Sequence, residues 1–114
     1  MSPITTHVLD LSSGRPASGV AVLLSIRADD NRWDDLARGV TDADGRVRDL
    51  MPEGTPLATG TYRLQFETYD YFLASGVKAF HPSVVVHFLV DDPSTHFHVP
   101  LLLSPFGYST YRGS

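Results

Sequence analysis

The five histidines of this sequence are its best candidates for acid–base chemistry, because imidazole is the only side chain whose unperturbed pKa lies near neutrality. His96 and His98 stand at positions i and i+2, so a strand would present both rings on one face. Two such rings can bind a metal ion, but the sequence fixes no third ligand beside them, and we predict no metal site. His7 shares its strand face with Thr5 and Leu9, a pattern that is also typical of a surface histidine on a half-buried strand.

Two arginines follow an acidic turn. Arg46 and Arg48 come directly after Thr41-Asp-Ala-Asp-Gly45, and their spacing puts them on a shared face. One interpretation is a solvated pair beside the acidic turn residues. The other is a guanidinium that points at an anionic or carbonyl-rich ligand, which its planar fork of donors suits.

The final residues carry further hydrogen-bonding groups. Residues 107–114 alternate like a strand, so we expect this segment to be tied to the body of the protein. Ser114 would then hold its hydroxyl and the terminal carboxylate in a fixed place. Standard nucleophile and phosphate motifs are absent: the sequence has no G-x-S-x-G, no P-loop, no G-x-G-x-x-G after a strand and no H-E-x-x-H.

The elements that must position these residues are mostly strands. Period-two alternation is the dominant pattern, and it is clearest in Thr61–Tyr69, where Tyr62, Leu64 and Phe66 point one way. Further strands are predicted at 4–11, 19–28, 32–40, 83–90, 94–103 and within 107–114, with turns rich in Gly, Pro and Asp between them.

One helix and one irregular strand interrupt this pattern. The helix is predicted over Asp70–Gly76, with Asp70 capping its start and Gly76 its end. Pro100 has no N–H to donate to a ladder, so it indicates an edge strand or an irregularity.

The many short strands predict an all-β fold class: a two-sheet antiparallel β-sandwich of roughly seven or eight strands with one short helix. We expect a single domain over residues 1–114.

Charge and composition exclude several functional classes. The chain has 114 residues, a formal net charge of −4 and no cysteine, which excludes disulfides, thiolate zinc sites and a thiol nucleophile. No basic patch for nucleic acid or an anionic membrane surface is visible, and no apolar run approaches the ~20 residues that span a bilayer. The first residues lack the basic and apolar regions of a secretory signal, so we expect a cytoplasmic protein.

Segments along essentially the whole chain carry a resemblance to one family. They are Ile4-Thr-Thr-His-Val-Leu-Asp10, Gly14-Arg-Pro-Ala17, Thr41-Asp-Ala-Asp-Gly-Arg46, Tyr71-Phe72 with His81-Pro82, His98-Val-Pro-Leu-Leu-Leu-Ser-Pro105 and Tyr111-Arg-Gly-Ser114. In these motifs the sequence resembles the transthyretin-related 5-hydroxyisourate hydrolases. Transthyretin, the hormone carrier with a similar fold, lacks the Tyr-Arg-Gly-Ser ending, so that ending favours the hydrolases.

The resemblance implies a reaction and an assembly. The reaction is hydrolysis of a cyclic amide, which opens the six-membered ring of 5-hydroxyisourate to 2-oxo-4-hydroxy-4-carboxy-5-ureidoimidazoline in the degradation of urate to allantoin. No metal and no organic cofactor are implied. The implied assembly is a homotetramer, built as a dimer of dimers with active sites where the dimers meet.

The resemblance also implies the site residues. The catalytic set is His7, Arg46, His98 and Ser114, and the substrate-binding set adds Tyr111, Arg112 and Gly113. We expect His7 to act as the general base toward water, and His98 to orient the substrate or share the proton transfer, although two imidazoles can exchange these roles. Arg46 or a hydroxyl would stabilise charge on the attacked carbonyl oxygen, and Ser114 would hold water or substrate.

Two other classes of protein remain as alternatives. A transthyretin-like carrier would hold a flat ligand in the channel between subunits without consuming it, and would tolerate substitution of His7 and Arg46. A purely structural β-sandwich would be a monomer with no small-molecule site, and its terminal residues would be dispensable.

Overall fold

Eight strands and one helix make up the computed structural model, which describes all 114 residues. In chain order they are β1 (Ile4–Asp10), β2 (Arg15–Pro16), β3 (Ala21–Arg27), β4 (Trp33–Val40), β5 (Gly60–Phe66), α1 (Thr68–Ala74), β6 (Val84–Val90), β7 (Phe97–Ser104) and β8 (Gly107–Thr110). The first sheet has the strand order β2-β1-β7-β8, and the second has the order β4-β3-β5-β6. The predicted all-β sandwich with one short helix is confirmed.

One strand pair departs from the antiparallel arrangement. β1 and β7 run parallel, in a register that places Thr5 beside His98 and His7 beside Pro100. Every other pair of neighbouring strands is antiparallel. The parallel pair brings residues from opposite ends of the chain onto one face of the first sheet.

Alternation along β1 and β7 decides which side chains enter the core. One face of each strand is buried, with Ile4, Thr6, Val8 and Asp10 in β1 and Phe97, Val99, Leu101 and Leu103 in β7. The apolar residues among them join a cluster of 20 buried apolar side chains, and burying a large apolar side chain contributes roughly 1.5–3 kcal/mol. The other face keeps Thr5, His7 and His98 partly exposed and free for chemistry.

The helix begins two residues earlier than predicted. It runs from Thr68 to Ala74, so Asp70 lies in its first turn and does not cap it; Glu67 occupies the cap position without a side-chain hydrogen bond. Thr68 and Phe72 lie four residues apart on one face of the helix and are both buried, so packing of this face against the core overrides the capping preference of Asp70. Gly76 ends the helix as predicted, at φ +69°, and its N–H donates to the Leu73 carbonyl at 2.9 Å. No helix in the chain has the length and hydropathy needed to cross a membrane.

Pro100 does not mark an edge strand. It lies in β7, between β1 and β8, so that part of the prediction is wrong. The alternative of an irregularity describes the structure, because the ladder between β7 and β8 ends at the pair Leu101–Thr110. Just beyond that pair, the Thr110 hydroxyl donates to the Pro100 carbonyl at 2.7 Å, so this backbone acceptor has a side-chain partner.

Candidate active site

A cleft of about 730 Å³ opens beside the outer face of the first sheet, and we call it the polar cleft. Eleven residues line it, and only two of them are hydrophobic. The polar lining includes Thr5, Arg46, Arg48, His96, His98 and Ser114. Its volume lies in the range of roughly 300–1,000 Å³ that is typical of small-molecule sites.

His98 is held on two sides of its ring. On one side, its Nδ1 atom lies 2.7 Å from the Thr5 hydroxyl oxygen. On the other, Gly113 approaches so closely that a Cβ there would overlap His98 Cδ2. The Gly113 N–H also donates to the His98 carbonyl at 2.8 Å. Nε2 is therefore the ring nitrogen that remains available to a ligand.

The surroundings of His98 disfavour its charged form. Burial lowers the pKa of His98 below its usual value, and the nearby charges of Arg46, His96 and His7 lower it further. His98 is consequently a neutral imidazole at neutral pH, with one N–H and one free lone pair. Which nitrogen carries the proton then decides whether the ring donates to a ligand or accepts from it.

His96 stands on the same face as His98, as the i, i+2 spacing predicts. The two rings lie 6.4 Å apart with 23° between their planes, and His96 Nε2 is 3.0 Å from the Thr5 hydroxyl oxygen. No group of three or more His, Asp or Glu side chains comes close enough together to hold a metal ion.

The turn after β4 separates the roles of the two arginines. Asp42 accepts hydrogen bonds from the backbone N–H groups of Asp44 at 2.9 Å and Arg46 at 3.1 Å. Arg48 binds the carboxylates of Asp42 at 2.8 Å and Asp44 at 2.9 Å, whereas Arg46 forms no ion pair. The solvated-pair interpretation therefore describes Arg48, and Arg46 keeps a free guanidinium on the polar cleft.

His7 lies next to Arg46 through the backbone. The two residues form an isolated antiparallel bridge, and the neighbouring Val8 N–H donates to the Gly45 carbonyl at 2.8 Å. Gly45 adopts φ +75°, and a Cβ there would overlap the Val8 carbonyl oxygen, so this close approach requires glycine. His7 itself lies beside the polar cleft and not in its lining, although its charge acts on His98.

The last four residues divide between two cavities. Ser114 lines the polar cleft, and Gly113 packs against the ring of His98. Tyr111 and Arg112 instead line a second cavity of about 320 Å³, which we call the apolar groove. Arg112 places its guanidinium 4.4 Å from the centre of the Phe97 ring. The single site expected from the sequence is thus split within one chain, with His98 lining both cavities.

Sequence reasoning overlooked Thr5 as a site residue. Alternation had already placed it on the face of His7, which was the only signal available. Its contact with His98 depends on the parallel pairing of β1 with β7, and no local pattern encodes that pairing.

A model of the HIUase/Transthyretin family matches residues 4–113. The chain belongs to this family. Among curated relatives, the 5-hydroxyisourate hydrolase of Caulobacter vibrioides is 51% identical and is matched over 100% of both chains. The 5-hydroxyisourate hydrolase of Mus musculus is 45% identical over 99% of this chain and 96% of the relative.

Solved structures of both branches of the HIUase/Transthyretin family resemble this chain. Sea bream transthyretin in complex with thyroxine superimposes with a TM-score of 0.90 at 36% identity, covering 97% of this chain and 94% of that chain. The 5-hydroxyisourate hydrolase of Klebsiella pneumoniae gives a TM-score of 0.83 at 39% identity, covering 97% and 92%. The backbone alone therefore does not separate hydrolase from carrier, and the side chains of the site must do so.

Proposed function

We propose that this chain is a hydrolase that opens the six-membered ring of 5-hydroxyisourate. The observation that carries the proposal is the polar cleft, in which the neutral imidazole of His98 and the unpaired guanidinium of Arg46 face the same space. Curated relatives at 45–51% identity bear the name 5-hydroxyisourate hydrolase. A flat, carbonyl-rich substrate suits the planar donors of a guanidinium.

The proposed reaction adds water to a ring carbonyl. An imidazole takes one proton from the water as its oxygen bonds to the carbonyl carbon, and charge develops on the carbonyl oxygen, which Arg46 stabilises. The carbon–nitrogen bond then breaks, and the departing nitrogen receives a proton. We assign the base to His7, substrate orientation to His98, and the holding of water or substrate to Ser114. In this assignment the chain's own side chains supply every proton transfer.

We also propose that the polar cleft is completed by assembly into a homotetramer, as a dimer of dimers. Two observations support this. β6 and β8 are edge strands of the two sheets, and large apolar side chains near them are exposed, including Leu89 at 69% and Tyr111 at 57%. Light scattering tests the proposal: we expect a tetrameric mass for the natural sequence and a lower mass for Leu89→Asp. A monomeric mass for the natural sequence would contradict it.

The decisive experiment is optical. 5-Hydroxyisourate generated from urate by uricase absorbs light, and we expect its absorbance to decay faster with this protein than spontaneously. His98→Ala should abolish most of the acceleration, whereas His81→Ala, a histidine outside the polar cleft, should retain it. Decay at the spontaneous rate, together with saturable ligand binding, would instead support a transthyretin-like carrier.

The cytoplasmic location stays a prediction, which cell fractionation tests.

A further inference from the structure

One hydroxyl group lies between two imidazoles at the polar cleft. Thr5 Oγ1 is 2.7 Å from His98 Nδ1 and 3.0 Å from His96 Nε2. Thr5 is positioned by the parallel register of β1 and β7, which makes it the direct neighbour of His98. The consequence we draw for catalysis rests on the proposed function, while the arrangement of protons does not.

Counting protons limits what this hydroxyl can do. A threonine hydroxyl has a single hydrogen, so it can donate to only one of the two ring nitrogens, and if it does so it must accept from the other. The two rings therefore cannot both present lone pairs to Thr5. If one of the facing nitrogens is unprotonated, the other must carry a hydrogen.

The two distances favour the arrangement in which Thr5 donates to one ring and accepts from the other over the one in which it accepts from both. A hydroxyl donor typically makes the shorter bond: with an oxygen acceptor the mode is about 2.7–2.8 Å for O–H donors and about 2.9–3.0 Å for N–H donors. The 2.7 Å contact fits Thr5 donating to His98 Nδ1, and the 3.0 Å contact fits the His96 Nε2–H donating to Thr5. Because His98 is neutral, its one ring hydrogen must then be on Nε2.

We propose that Thr5 is a positioning residue that fixes His98 as its Nε2–H tautomer, so that His98 donates a hydrogen bond into the polar cleft. Gly113, packed against the Cδ2 side of the ring, keeps the ring from turning away from Thr5. A neutral Nε2–H ring can orient a carbonyl oxygen but cannot take a proton from water at that nitrogen. The base is then His7, which takes a proton from the water and returns it to the departing ring nitrogen.

Nitrogen NMR of the histidine rings tests the tautomer directly. The ¹⁵N shifts of Nδ1 and Nε2 distinguish a protonated from an unprotonated ring nitrogen, and the His98 signals are assigned by their loss in His98→Gln. We expect His98 to be protonated on Nε2 in the natural sequence, to become a mixture of tautomers in Thr5→Val, and to return to Nε2–H in Thr5→Ser. A ring protonated on Nδ1 in the natural sequence, or an unchanged tautomer in Thr5→Val, would overturn the proposal.

Kinetics test the consequence for the reaction. Thr5→Val keeps the shape and the strand preference of the side chain but removes its hydroxyl, and we expect kcat/KM to fall by roughly tenfold, the size of one hydrogen bond. Thr5→Ser should recover most of the activity. Thr61→Val, the same change in β5 of the second sheet, is the matched control and should behave like the natural protein.

Two outcomes of the kinetic experiment contradict the proposal. Equal losses in Thr5→Ser and Thr5→Val would show that the methyl group matters and the hydroxyl does not. Full activity in Thr5→Val would show that the tautomer is set elsewhere. If the natural protein itself failed to accelerate the decay of 5-hydroxyisourate, the proposed function would fail, and the NMR experiment would still decide the tautomer.

Discussion

The two cavities that meet at His98 are built from opposite kinds of residue. The polar cleft is lined almost entirely by polar and charged side chains, and the Thr5 hydroxyl contacts the rings of both His96 and His98 there. The apolar groove has mostly hydrophobic lining and lies between β6 and the segment that follows β8, at the open edges of the two sheets. Fixed polar groups suit chemistry on a ligand, whereas an apolar groove at a sheet edge suits contact with another protein surface.

The largest expected effect is the loss of turnover when one of the two proposed catalytic histidines is replaced. His98→Ala and His7→Ala should each lower turnover of fresh 5-hydroxyisourate by about 10²–10⁴-fold, because each removes a group proposed to orient the substrate or move its proton. Light scattering should show an unchanged assembly, since the apolar groove keeps its hydrophobic side chains. Near-normal turnover in both variants would disprove the assignment of acid–base chemistry to this cleft.

The two arginines test whether a free guanidinium matters more than a paired one. Arg46→Ala should lower kcat by about 10²–10³-fold, the typical loss when a donor to a developing oxyanion is removed. Arg48→Ala breaks only exposed ion pairs with Asp42 and Asp44, and such pairs contribute little to stability because solvent screens them. Steady-state kinetics on both proteins decide the point, and equal losses would contradict a special role for Arg46.

Substitutions at Gly113 and Tyr111 test whether the last four residues serve two different cavities. Gly113→Ala places a methyl group against the His98 ring, and a displacement of about 1 Å at a catalytic group can lower the rate by about 10²-fold. Tyr111→Phe, on the apolar groove, should have a smaller effect on kcat. An active Gly113→Ala protein would mean that the ring tolerates displacement.

The smallest expected effect is the contribution of His98 to the pH dependence of the free energy of unfolding. The pKa of folded His98 is lowered by burial and by the charges of Arg46, His96 and His7, while the unfolded chain titrates near 6.5. As the pH falls below that value, the unfolded state binds a proton that the folded state resists, so the free energy of unfolding decreases. The urea midpoint should therefore fall between about pH 7.5 and about pH 5.5 by more in the natural protein than in His98→Gln. Equal decreases would show that His98 does not contribute.

Much of the fold follows from local patterns in the sequence. Alternation predicts the strands and their buried faces, because period two is a property of each strand by itself. The parallel partnership of β1 and β7 is not local. Neither is the burial of Thr68 together with Phe72, which places the helix start at Thr68 in spite of the capping preference of Asp70. The sequence also does not show that β8 stops pairing with β7 at Leu101, directly beside Pro100.

The candidate site was predictable in its residue types and not in its arrangement. The sequence motifs name His98, Arg46 and Ser114, and all three line the polar cleft. No motif indicates that Arg48 is neutralised while Arg46 is free, since both follow the same turn. Thr5 was missed because its importance arises only when a residue 93 positions away becomes its neighbour.

The parallel pairing of β1 with β7 also has a kinetic meaning. Thr5 and His98 are 93 positions apart in the sequence. Folds rich in contacts between such distant residues form slowly. A slip of one residue in this register would turn His98 toward the core and Phe97 toward water. The contact between Thr5 and His98 therefore cannot form in a misregistered chain, and activity during refolding should appear only after this register has formed and, in the proposed tetramer, after assembly.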